Sequence, residues 1–250
     1  MELCQSNNGE IDENKYENTK NKSGKKKKNN NIEIECINQR SKALYKIFYK
    51  NKYCIGFFMN MNPFKLLITN NQVISEELLK EPIKLELHNK MEKIIILDKN
   101  IRFIEFFKSP IDITVIQIND KDIIENVDFL DYDPNYSYGF IQYKKKDVFS
   151  LGFPYGKEVV ALPGCIIDID NYEFKHDIAT NAGSSGSPIL LSNNSKVIGV
   201  HKMFNQKFNV GTFIGLIIDK LKNENNYSSR TQKVYDTMKN NPQISNNESY

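Results

Sequence analysis

Between Thr180 and Pro188 the chain reads TNAGSSGSP, and this glycine- and serine-rich bend restricts the fold more than any other stretch. The frame G-x-S-G-x-P inside it singles out Ser185 rather than Ser184 or Ser187. Glycines around that serine let the backbone turn tightly enough for the N–H groups of Gly183 and Ser185 to point together at one developing oxyanion. Pro188 then opens a short strand, ILLS, at a position where a missing N–H is tolerated. VIGVH, from Val197 to His201, follows the polar turn Ser192 to Lys196 and closes a hairpin behind the bend. Upstream, LGFPYG ends in a Pro/Gly turn, and CIIDID and YEFKHDIAT have strand character. Taken alone, the bend would also fit an ordinary turn between strands; its surroundings argue for more.

The first half of the chain offers two further segments of the same texture. YCIGFFMN and FKLLITNNQVI form a strand pair that ends at Gln72, and SPIDITVIQI brings Asp112 into an apolar strand. Aliphatic and aromatic residues abound, Ile and Phe especially, which suits strands better than helices.

The order of these segments resembles the chymotrypsin/trypsin-like serine peptidases, most closely the bacterial glutamyl endopeptidases. In that group a G-[FY]-P strand, a hairpin, the serine bend, a viGiH strand and a C-terminal helix follow one another as they do from Leu151 onward. YCIGFFMN with FKLLITNNQVI looks like the family's GTGF…LTNxHVI, and SPIDITVIQI like its D-[IL]-[AT]-[VL]. The resemblance runs from about Ser41 to Lys222. It implies an all-β fold of two six-stranded antiparallel barrels with a short C-terminal helix around Leu216 to Asn223, and a triad in the order Gln72, Asp112, Ser185. It also implies an oxyanion hole at Gly183 and Ser185. Thr180 and His201 match the threonine and histidine with which glutamyl endopeptidases bind an acidic side chain. An imidazole beside a hydroxyl is a sensible receptor for a carboxylate; His201 could equally be the plain end of a barrel strand. Ser184 replaces the aspartate that pairs with a new N-terminus in activated trypsins, so proteolytic activation is not expected. Ile55 replaces a small or hydroxyl residue and puts a bulky side chain near the loop of Gln72.

Gln72 stands where the family keeps its general-base histidine. A serine hydroxyl needs an adjacent base to take its proton and return it to the leaving amine. A glutamine amide accepts hydrogen bonds but has no usable basicity near neutral pH. The remaining histidines, His88, His176 and His201, lie in other segments. The expected function is therefore that of a pseudopeptidase binding a peptide or protein partner, with no cofactor or metal. An active serine endopeptidase cutting after acidic residues with an unrecognised base is the alternative, and a structural domain with an empty cleft is a third.

Two barrels need roughly 180 to 200 residues, which 250 residues accommodate. The expected organisation is a disordered Asn/Lys-rich arm over 1–40, a peptidase domain over 41–224 with barrels at about 41–122 and 123–224, and a polar tail over 225–250. The arm is poor in apolar residues and contains the run Lys25 to Lys28, which could mark nuclear import or an acidic surface or be simply solvated. A net charge of +3 gives no reason to expect nucleic acid. MELCQSNNGE lacks the apolar core of a secretory signal, and no apolar run is long enough to span a membrane. Cys4, Cys36, Cys54 and Cys165 show neither metal spacing nor a disulfide framework. An intracellular protein, cytoplasmic or nuclear, is the expectation.

Overall fold

The computed structural model describes residues 34–49, 52–205 and 208–223. The lysine run, Cys4, most of the expected arm and the tail lie outside them. A helix, α1 (Ile34–Ser41), covers the end of the stretch expected as an arm. The strands that follow are β1 (Leu44–Tyr49), β2 (Lys52–Met61), β3 (Phe64–Thr69), β4 (Pro82–Leu87), β5 (Glu92–Ile96), β6 (Ile104–Phe107), β7 (Ile113–Gln117) and β8 (Leu130–Asp131). The second half holds β9 (Asp147–Gly152), β10 (Val160–Asp170), β11 (Glu173–His176), β12 (Pro188–Leu191), β13 (Val197–Asn205) and β14 (Phe208–Phe213).

The second half closes into a six-stranded antiparallel barrel in the order β10-β11-β14-β13-β12-β9. The first half is a curled sheet in the order β5-β4-β1-β2-β3-β7-β6, a half-barrel with no β5 to β6 pairing among the described residues. The two-part β architecture is thus the expected one, with only the second barrel closed by backbone hydrogen bonds. β8 falls after the expected boundary at 122/123 yet pairs with Met59 and Asn60 of β2, so the first sheet borrows from the segment assigned to the second barrel.

Short apolar strands bury because few of their residues face water. All of β12 is buried, as are Leu66 through Thr69 of β3 and Ile113 through Ile116 of β7. Tyr45, Phe58, Leu67, Leu85 and Ile116 fill the first core, and Phe149, Phe174, Leu190 and Phe213 are buried in the second half. Burying one such side chain stabilises the fold by about 1.5–3 kcal/mol. The two sheets are tied by specific bonds: Tyr53 Oη donates to Phe153 O at 2.8 Å, Lys46 Nζ to Gly156 O at 3.0 Å and Thr212 Oγ1 to Ile111 O at 2.9 Å.

A separate unit begins at Ile214 and carries helix α2 over 215–223, with Ile217 and Leu221, one turn apart, buried. Among the described residues no helix is long and apolar enough to cross a membrane.

Candidate active site

Gln72 sits in the turn directly after β3. The turn is held by Val73 N–H and Ile74 N–H, which both donate to Asn70 O at 3.1 Å. Asp112 sits just before β7, with left-handed backbone (φ 57°) and 7% of its surface exposed. Its carbonyl receives Asn70 Nδ2 at 2.9 Å and Asn71 N–H at 3.2 Å. Its carboxylate Oδ1 receives Gln72 N–H at 2.8 Å. Antiparallel β3 and β7 therefore place residues forty positions apart side by side. Burial pushes the Asp112 carboxyl up to about 6, against the pull of the Gln72 backbone N–H, the Lys202 charge, the Gln72 side chain and the Asn71 N–H.

Ser185 comes from the second barrel. Ile55 N–H donates to Ser185 O at 3.0 Å and Gly186 N–H to His201 O at 3.0 Å, so the loop is bonded to both halves of the molecule. Gly183 and Gly186 both have φ +90°. A β-carbon at Gly186 would lie 1.9 Å from Ile55 O and 2.6 Å from Thr69 Oγ1. Only glycine meets that backbone and that space together. Gly186→Ala is expected to cost on the order of 3–5 kcal/mol by thermal unfolding; a loss under about 1 kcal/mol would mean the serine loop relaxes freely. Among the described residues, neither the Gly183 nor the Ser185 N–H donates a hydrogen bond, which leaves both amides for an oxyanion. Ser184, in the place of the trypsin aspartate, closes the loop instead: Asn181 N–H donates to its Oγ at 3.1 Å.

Gln72 and Ser185 converge on one atom. Gln72 Nε2 donates to Lys202 O at 2.9 Å, and Ser185 Oγ points at the same oxygen at 3.4 Å, its one hydrogen bond among the described residues. The Lys202 side chain is buried and donates to Pro110 O and Glu173 Oε1, each at 2.6 Å. Hydrogen bonds thus link Gln72 to Asp112 and bring Gln72 and Ser185 together on Lys202 O.

Thr180 and His201 are bonded to other side chains of the second half. His201 is 3% exposed, and its Nδ1 meets His176 Nε2 at 3.2 Å. Burial depresses both rings, so His201 is neutral and not the cation that a carboxylate receptor would use. Thr180 Oγ1 donates to Asn209 Oδ1 at 2.5 Å. Ile55 is 1% exposed beside Gly152 of the second barrel, so the expected bulk against the Gln72 loop is a buried contact between the two halves.

Lys202 and Asn209 went unnoticed in sequence as site residues, and His176 was weighed only as a substitute base. A lysine inside the otherwise apolar run VIGVHKMF was the one available signal for Lys202. Among the described residues no three His, Cys, Asp or Glu side chains converge as metal ligands do.

A closed barrel, a half-barrel and a serine loop between them define the chymotrypsin-like class of serine peptidase folds. Residues 54–200, more than half of the chain, match the trypsin-like peptidase domain, and the chain belongs to that family. No curated protein matches it in sequence. Among solved structures, the serine endoprotease from Yersinia pestis is similar with a TM-score of 0.55 at 14% identity, over 75% of this chain and 64% of that one. The chain therefore spans under two thirds of that protein. Rv3671c from M. tuberculosis H37Rv, solved as an inactive-form serine-to-alanine mutant, has a TM-score of 0.53 at 14% identity, over 76% of this chain and 93% of that one. At such identity these likenesses concern the fold.

Proposed function

We propose that the chain is a non-hydrolysing trypsin-like peptidase domain, extending over about 41–224, whose cleft binds a peptide segment of a partner protein. One observation carries this reading: the hydroxyl of Ser185 faces a backbone carbonyl, Lys202 O, where a hydrolase would present a base. A carbonyl cannot take up the proton, and the amide of Gln72 cannot shuttle it. His176 and His201 bond each other, and His88 follows β4 with Lys42 and Asp128 as its charged neighbours. The glycine-shaped loop with two undonated amides supports binding of a peptide carbonyl, which needs no proton transfer.

A fluorophosphonate probe is expected to leave Ser185 unlabelled under conditions that label trypsin to completion, and casein is expected to stay intact. Stoichiometric labelling of Ser185 together with casein cleavage would overturn the proposal in favour of an active endopeptidase.

A further inference from the structure

A cavity of about 650 Å³ opens at the far end of the strands that carry Gln72 and Asp112. β3 runs from Phe64 to Thr69 and β7 back from Ile113 to Gln117, with Leu66 opposite Gln117 and Thr69 opposite Thr114. Gln72 and Asp112 flank one end of that strand pair; Phe64, Lys65 and Gln117 line the cavity at the other. A strand of this length separates the two by about 17 Å. The volume is that of a small-molecule site.

What the lining offers a ligand follows from which of its polar groups are already used. Arg102, with a side chain only 4% exposed, sets Nη1 on Asp122 Oδ2 at 2.9 Å and Nη2 on Asp122 Oδ1 at 2.8 Å. Its Nη1 also donates to Gln117 O at 3.1 Å. Such a bidentate pair is geometrically fixed and cancels its own charge. Asn119 is spent as well: its Nδ2 donates to Ile101 O at 2.8 Å, and its side chain accepts the Asp122 N–H. Gln117 is not. A backbone N–H can only donate, so the Phe103 N–H, at 3.0 Å, fixes Gln117 Oε1. Nε2 is left as a donor with no partner among the described residues, and it is not sealed from solvent.

The remaining charges of the lining are unbalanced. Lys65, Asp120 and Lys121 are exposed and form no ion pair among the described residues; Lys65 Nζ lies 5.1 Å from the centre of the Phe129 ring. Two lysines against one aspartate leave one positive charge in surplus. The other walls are apolar. Phe64 is stacked on Phe103 at 6.4 Å, and Ile101 has 56% of its surface exposed, so an apolar group laid over them would remove hydrocarbon from water.

We propose that this cavity binds a small monoanion with an apolar body, a carboxylic acid whose hydrocarbon lies on Ile101 and Phe64. Its carboxylate meets the Lys65 and Lys121 charges and accepts from Gln117 Nε2–H. Other chemistries match the lining less well. A cation opposes the surplus charge and finds one exposed carboxylate, Asp120. A polyanion such as nucleic acid needs many basic side chains along its phosphates and finds a single surplus charge. A bare hydrocarbon leaves Gln117 Nε2 without an acceptor. The site uses no residue of the cleft, so it stands whether or not the cleft binds peptide.

The test is titration of the full chain, carrying isotopically labelled isoleucine methyl groups, with naphthalenecarboxylate, the neutral naphthalenemethanol and the cationic naphthalenemethylamine. The carboxylate is expected to shift the Ile101 and Ile118 methyl resonances with a Kd below about 1 mM and to bind at least about fivefold tighter than the alcohol. The amine should bind weakest. Added salt should narrow the gap between acid and alcohol, because exposed charges are screened. Lys65→Glu together with Lys121→Glu changes only exposed side chains. It should bring the acid to the level of the alcohol or below, while alcohol binding holds within about twofold. Gln117→Glu keeps an oxygen for the Phe103 N–H but removes the donor, and should also abolish the preference. Absence of shifts at Ile101 and Ile118 up to about 5 mM acid would overturn the site. Equal binding of acid and alcohol, or a preference that survives the double lysine exchange, would overturn the carboxylic acid as its ligand.

Discussion

Gln72→His is expected to convert the chain into a working hydrolase, raising turnover of a peptide ester by roughly 10³-fold or more over the parent. Hydrogen bonds already join residue 72 to Asp112 and bring it to the carbonyl that Ser185 faces. Asp112 Oδ1 already receives the backbone N–H of residue 72 at 2.8 Å, which holds the carboxylate beside the side chain that would become imidazole. The Ser185 hydroxyl has given up nothing but a long bond of 3.4 Å to Lys202 O, so it can turn to a new acceptor. Loss of the histidine from a serine peptidase costs on the order of 10⁶ in turnover. Full recovery is not expected, because residue 72 must also release Lys202 O, to which Gln72 Nε2 now donates. Fluorophosphonate labelling of Ser185 should appear in the same variant. A folded Gln72→His protein that neither labels nor hydrolyses would show that the cleft has lost more than its base, and would favour a purely structural domain.

That experiment could be designed from sequence because the residues it concerns are written in short local patterns. The serine loop is legible since its glycines are obligatory: at Gly186 a β-carbon would collide with Ile55 O, so the loop cannot drift far in sequence. Gln72 and Asp112 are legible since each closes or opens a buried strand whose apolar run is visible. What stayed hidden is every contact between distant segments. Lys202 O accepts from Gln72 across 130 positions, and Thr180 reaches Asn209 across 29. No local pattern encodes a hydrogen bond of that kind. Burial was equally invisible: His201 reads in sequence as a half-exposed strand end, and only the pairing of β13 and β11 on either side of β14 brings it against His176, where burial removes its charge. The short β8 pairs with β2 through two residues, too few to carry any periodicity.

Asp112→Asn is expected to stabilise the protein at neutral pH, because burial penalises the Asp112 carboxylate more than its partners repay it. The native carboxyl is raised to about 6 from the ordinary 3.8, chiefly by burial. The sign follows from proton binding. Between about pH 4 and pH 6 the native state holds a proton that the unfolded chain has already released, so stability falls as pH rises through that window. Above it the whole penalty is present, on the order of 2–3 kcal/mol; below about pH 4 both states are protonated and none remains. Asparagine keeps an oxygen to accept the Gln72 N–H and carries no charge to desolvate. Urea unfolding at pH 7.5 should therefore show the variant more stable by about 2–3 kcal/mol, and the two proteins should converge near pH 4. The same substitution in the Gln72→His background should lose most of this gain, since an imidazolium would then repay the carboxylate, and should lower turnover. Equal stability of Asp112→Asn and the parent at both pH values would mean that the carboxylate is adequately solvated where it stands. A gain that persists unchanged at pH 4 would point to packing, not to charge.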